Sequence, residues 1–244
     1  MSFRLISCLQ RGALFLLLGA ALALPAHAQK KKSASPAATG PQRLQPLFGG
    51  VVPAQAQQLV GAAVLADIDR SFASRPEASK FFSNKGFDYL TENQPDTAIV
   101  RFNLAWVLDP KNPDTYRGLA VVLSQRDTTP PEAVQALLLQ GLAIAPTDAR
   151  LLTDAATTSL GHYEQTKKKK DLAQAQSYVQ RALLADANNA NAWQTQARVH
   201  YYLEDYAGAW TDVHKGQNLN LASLDFNFLT QLMAKLPDPE GKFR

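Results

Sequence analysis

The 244-residue chain carries a formal net charge of +4, and Cys8 is its one cysteine. That excludes a disulfide framework and a thiolate metal site, so the fold rests on burial, for which 46% hydrophobic residues suffice. The positive charge is concentrated in the first 43 residues. Without Arg4, Arg11, Lys30, Lys31, Lys32 and Arg43, 19 basic residues face 21 acidic ones. A nucleic-acid binder would concentrate basic charge on its fold, so nucleic acid is not an expected partner.

In chain order, Arg4 and Arg11 precede an apolar run, Gly12 to Leu24, which Pro25 and the small-residue site Ala26-His27-Ala28 close. The run is shorter than the roughly 20 residues of a membrane span. It reads as a cleaved signal peptide over 1–28, with Gln29 as the first mature residue and the periplasm or outer cell envelope as the destination. Leu5-Ile6-Ser7-Cys8 has the look of a lipoprotein box, but the apolar core follows the cysteine instead of preceding it. Residues 29–52 are rich in Lys, Ser, Ala, Pro and Gln, which predicts a disordered tether. Pro53 then opens an N-terminal helical segment, 53–78. Val60, Val64, Leu65, Ile68 and Phe72 form its apolar stripe, and Ser74 and Glu77 make a capping-box pattern.

From there to residue 236 the spacing predicts helices throughout, in units of about 34 residues. The clearest unit, 79–112, places Phe82, Gly86 and Tyr89 on one helix and Ala98, Phe102 and Ala105 on the next, with Pro110 closing it. Small residues at Gly86, Ala98 and Ala105 let two antiparallel helices approach, and the aromatics fill the space between turns. This pattern resembles the tetratricopeptide repeat; Lys85 departs from it where a large apolar residue is usual. Looser units follow at 113–148, 149–189 and 190–223. A turn lengthened around Thr128–Pro131 marks the second, where Thr129 and Glu132 suggest another capping box. A hairpin loop extended over His162–Lys170 marks the third. A last helix, about 222–235, would cap the stack before a tail at 237–244. The fold class expected is all-α: a tetratricopeptide-like superhelix of antiparallel helix hairpins with a C-terminal capping helix.

No catalytic constellation stands out. His162, His200 and His214 fit neither a zinc hairpin nor a metalloprotease helix, and no phosphate loop or nucleophile elbow is present, so neither enzyme activity nor a cofactor is expected. His200 and His214 read as a polar pair, and Trp106, Trp193 and Trp210 as core residues. Lys167–Lys170 reads as a solvated loop or as a seat for an acidic partner or an anionic surface.

In the tetratricopeptide family the first helix of each repeat lines a concave groove. That resemblance places Lys80, Ser83, Phe87, Arg117, Arg150, Gln194, Arg198, Tyr201 and Tyr202 in a partner-binding groove, together with Val121, Ser124, Thr157 and Gly161. Arginine with tyrosine is a hot-spot composition. The family's carboxylate clamp is not matched, because Ser83 and Phe87 replace its lysine and asparagine. The function expected is a non-enzymatic adaptor for a protein or peptide partner. A second reading is a module for envelope polymer or lipid, peripheral to the envelope and using the basic tail and the Lys167–Lys170 loop.

Overall fold

The computed structural model describes residues 40–126 and 129–244. The predicted signal peptide with Cys8, and Lys30–Lys32 of the tether, lie outside the described residues. A 3₁₀ turn (Pro41–Leu44) and a short turn α1 (Leu47–Gly50) lead into α2 (Pro53–Val60) and α3 (Ala62–Ser71). Four hairpins follow: α4 (Arg75–Thr91) with α5 (Pro95–Leu108), α6 (Pro113–Ser124) with α7 (Pro131–Ile144), α8 (Ala149–Thr166) with α9 (Lys169–Ala185), and α10 (Ala190–Tyr202) with α11 (Tyr206–Leu219). Helix α12 (Phe226–Lys235) comes last.

Local chemistry sets most boundaries. Ser74 accepts the Glu77 N–H while the Glu77 carboxylate accepts the Ala73 N–H, a reciprocal cap at the start of α4. Asn112, Asp148, Asn189, Asp205 and Asp225 cap α6, α8, α10, α11 and α12. Two of these caps also join neighbouring helices. Asn112 Nδ2 donates to Ser79 Oγ (2.9 Å) on α4, and Asn189 Nδ2 donates to Thr153 Oγ1 (3.0 Å) on α8. The box expected at Thr129 and Glu132 does not form: Pro130 is the N-cap of α7 and makes no side-chain cap bond.

Two expectations are corrected. Residues 41–50, within the stretch read as a tether, are docked. Asn103 on α5 accepts the Leu47 N–H (2.8 Å) and donates to the Arg43 and Gln45 carbonyls (3.0 and 2.8 Å), and Phe48 is buried. Composition conceals this because one buried asparagine satisfies three backbone groups at once. The extra residues of the third unit do not make a long loop either. They lengthen both helices, to 18 and 17 residues, and leave Lys167 and Lys168 as the connection.

The main core runs from Phe48 through Val199, and a smaller cluster of Ala197, Ala209, Trp210, Val213, Phe228, Leu229 and Leu232 seats α12 on α11. At its tightest point Phe102 of α5, fully buried, lies against two glycines. A Cβ on Gly86 of α4 would sit 2.6 Å from Phe102 Cε1, and one on Gly118 of α6 only 2.1 Å. The ring occupies the space that those two side chains would need. Across hairpins, α4 approaches α6 and α8 approaches α10, whereas the second helices α5, α7, α9 and α11 keep apart from one another. The stack therefore curves toward the face of the first helices.

The chain end closes the stack. Trp210 Nε1 donates to the Leu236 carbonyl (2.9 Å), and the Asp238 carboxylate accepts the N–H groups of Glu240 (3.0 Å), Lys242 (2.8 Å) and Phe243 (3.0 Å). His214, Trp210 and Phe243 form a cluster of three near-parallel rings with centroids 5.6–6.1 Å apart, and His214 has Nε2 3.1 Å from Asp238 and Nδ1 2.8 Å from Glu240. Burial works to raise the Asp238 carboxyl, but the Phe243, Glu240 and Lys242 N–H groups and His214 hold it below the usual range.

Both packing points can be tested by substitution. Gly118→Ala and Gly86→Leu force Phe102 aside and lower stability by about 1–3 kcal/mol each by overpacking, read as the urea midpoint; midpoints equal to wild type would remove Phe102 from the crossing. Asp238, lowered in the fold, contributes fully above its unfolded value of about 3.9, and that contribution is lost as the pH falls through the depressed one. Asp238→Asn is therefore expected to lower the melting temperature at neutral pH by on the order of 5 °C and to flatten its fall below about pH 4.

Candidate partner-binding groove

The first helices present a continuous face on which three arginines reach between neighbouring repeats. Arg117 of α6 lies 5.2 Å over the Phe87 ring of α4 and donates through Nε to Asp154 of α8 (2.7 Å). Arg150 of α8 donates to Asp114 of α6 (2.8 Å) and to Asp148 (3.1 Å). Arg198 of α10 pairs with Glu164 of α8 and lies 3.8 Å from Asp225. The cross-repeat partners are separated by 37, 36 and 34 residues, about one repeat each. Pairs at or just below the surface contribute little, about 0–1 kcal/mol for exposed ones, so they set the orientation of successive repeats more than their stability.

Burial pushes the Asp154 carboxyl up in spite of the Arg117 charge beside it. Asp148 goes the other way: burial works to raise it, but the Leu151 and Arg150 N–H groups and the Arg150 charge hold it down. Both fit roles internal to the fold.

Helices α6 and α8 do not approach each other as α4 and α6 do. Between them opens a cleft of about 440 Å³, floored by Ala120, Val134 and Leu138 and bordered by Ser124, Thr157, Gly161 and His162. A Cβ on Gly161 would meet no atom within 4 Å, so this glycine leaves the cleft open without a packing need. At the other end of the face, Tyr163 and Tyr202 meet edge to face at 5.2 Å, and Tyr201 touches Tyr202, Tyr206 and Phe228 in the same manner. The Tyr202 hydroxyl donates to Glu164 (3.0 Å), and burial together with the Glu164 charge pushes its pKa up to about 12.

The structure therefore divides the expected groove residues. Lys80 and Arg150 are exposed, and Phe87, Arg117, Arg198, Tyr201 and Tyr202 are half-buried on the common face. Ser83 and Gln194 are corrections. Ser83 is fully buried, donating to the Lys80 carbonyl and accepting from Asn112, and Gln194 points into its own hairpin, where Nε2 donates to the Val213 carbonyl (3.2 Å). Neither is available to a partner, because the Gly216 notch and the Asn112 cap draw them inward. Trp106 and Trp210 are core residues, but Trp193 is half-exposed beneath Lys215, whose Nζ lies 4.2 Å from the ring centroid. The histidines face carboxylates, His200 toward Asp212 (2.8 Å) and His162 toward Asp171 (3.1 Å). Among the described residues no cluster of three or more His, Cys, Asp or Glu could hold a metal. Asp154, Glu164 and Gly118 escaped the sequence reading. Opposite charges one repeat apart were the available signal for the two acids.

No family model matches the chain, and neither does any curated protein. Solved structures do match. PilF of Pseudomonas aeruginosa superposes with a TM-score of 0.54 at 20% identity, over 70% of this chain and 79% of its own. TTC0263, a thermophilic tetratricopeptide protein of Thermus thermophilus, gives 0.56 at 16% identity, over 68% and 93%. At such identities the likeness shows fold alone: this is the tetratricopeptide-repeat fold, all-helical among the described residues.

The Tyr202 arrangement is testable by ultraviolet titration of the phenolates. One tyrosine is expected to ionise near pH 12, above the ordinary value of about 10, and to vanish from the curve in Tyr202→Phe. Seven tyrosines ionising together would remove the Glu164 contact.

Proposed function

We propose that this chain, a helical-repeat protein-interaction scaffold by fold, is an exported, non-enzymatic adaptor that docks a protein or peptide partner on the face of its first helices. The observation that carries the reading is the cleft between α6 and α8. It is apolar at its floor, polar at its rim and held open by Gly161, within a face whose arginines are already neutralised. A partner entering there gains apolar burial from Val134, Leu138 and Ala120 and polar contacts from Ser124, Thr157 and His162. The aromatic cluster around Tyr201 and Tyr202 offers rigid anchors further along the same face. Export rests on residues 1–28. Among the described residues no helix is long and apolar enough to cross a membrane.

The test fills the cleft without disturbing the fold. Gly161 sits in open space within a helix, so Gly161→Ala is expected to raise stability by about 0.5–1 kcal/mol through helix propensity. Gly161→Trp keeps part of that gain and places a ring across the cleft mouth. A photo-crosslinking residue at Ser124 or Thr157 is expected to yield a discrete adduct in cells that Gly161→Trp abolishes. The control position is Leu184 on α9, 87% exposed, which is expected to give no such adduct. An adduct insensitive to Gly161→Trp, or equally strong from Leu184, overturns the reading.

A further inference from the structure

The three bridging arginines of the groove face, Arg117, Arg150 and Arg198, have carboxylate partners, and the lysines at the corner where α8 turns into α9 do not. Among the described residues no carboxylate comes within 4 Å of the ammonium groups of Lys167, Lys168, Lys169 or Lys170. The nearby acids are engaged elsewhere. Glu164 accepts from Arg198 and Tyr202, and Asp171 faces His162 and accepts from Thr166.

Two further features mark this corner. Lys167 ends α8 in the left-handed conformation, with φ 57° and ψ 21°, a position that glycine or asparagine fills with less strain. That backbone folds the side chain back onto the groove, where Nζ lies 5.5 Å from the Tyr163 centroid and 5.4 Å from that of Tyr202. An ammonium has three donors; the ring faces occupy one side of it and leave the others pointing outward, pre-positioned. Second, α9 begins at Lys169 with Lys168 as N-cap and no side-chain cap bond, which sets cations at the positive end of a helix dipole.

We propose that this corner is a carboxylate receptor for an acidic segment of the partner, with Lys167 as the central donor, Tyr163 and Tyr202 as its seat, and Lys168–Lys170 supplying attraction around it. This rests on the groove being the partner-binding face and names the chemistry of what binds at its α8–α9 end. A peptide fits better than a bilayer, because a chain lying along the groove meets the exposed Lys167 together with the half-buried rings of Tyr163 and Tyr202, whereas a flat surface meets the exposed lysines alone.

The probe is fluorescein-labelled hexaglutamate, with hexaglutamine and phosphatidylglycerol vesicles as the comparison arms, read by anisotropy and co-sedimentation on the full chain. Hexaglutamate is expected to bind and hexaglutamine to fail. Lys167→Gln is expected to weaken hexaglutamate by about tenfold, and Lys170→Gln by no more than about threefold, as befits a central against a peripheral charge. Tyr163→Leu, which leaves every charge in place, is expected to weaken it as well. Lys167→Gly separates binding from folding: it relieves the left-handed strain, so it is expected to melt at or above wild type and still lose hexaglutamate. Equal losses at Lys167 and Lys170, or no effect of Tyr163→Leu, reduce the corner to diffuse charge and overturn the proposal. So does vesicle binding with the same dependence on Lys167. If hexaglutamate fails while Gly161→Trp still abolishes the groove adduct, this inference falls and the adaptor reading stands.

Discussion

Phe102 is the residue through which three helices of the first two hairpins meet. Its ring stands in the volume that side chains on Gly86 and Gly118 would occupy, so α4, α5 and α6 share one point of closest approach. Because α4 and α6 are both first helices, that point also draws the first-helix face together, while nothing comparable joins the second helices. Curvature, and with it the groove, follows from where side chains are missing. The same ring supports Phe87 edge to face at 5.0 Å, and Phe87 in turn carries the guanidinium of Arg117, so the wedge reaches the groove surface through two contacts.

From Arg117 onward the face is organised by charge. Each bridging arginine spans neighbouring repeats, and each has its carboxylate partners one repeat away or at a helix cap. Such pairs add little stability in water, but they restrict how one hairpin can rotate on the next. Between α6 and α8 the bridge is made by side chains alone, and there the cleft opens. Cavity and salt bridge are two consequences of one spacing: helices too far apart to pack directly can still be joined by the long arm of an arginine.

The ends of the stack are closed by different means. At the beginning, Asn103 secures the chain by three hydrogen bonds to backbone groups. At the end, α12 covers the last hairpin with Phe228, Leu229 and Leu232 and turns Thr230, Gln231 and Lys235 outward, and the final residues wrap around Asp238 against Trp210 and His214. A repeat stack needs such closure because its terminal units lack a neighbour on one side.

Periodicity was legible from the sequence because helix pairs of one length must repeat their small and aromatic residues at one spacing; Gly86, Phe102 and Ala105 carried the fold class on that ground. The cap at Ser74 was legible too, since its partner lies three residues away. What only the tertiary structure decided involves partners a whole repeat apart. Ser83 and Gln194 occupy places that face the groove in the family, yet local hydrogen bonds turn them inward. The docking of residues 41–50 on Asn103 spans 56 to 60 positions, and no local composition announces it. The α6–α8 cleft and the placement of Lys167 beside Tyr163 and Tyr202 belong to the same class. A linear pattern specifies which face a residue occupies, but the distance between two faces is set by the packing of the helices that carry them.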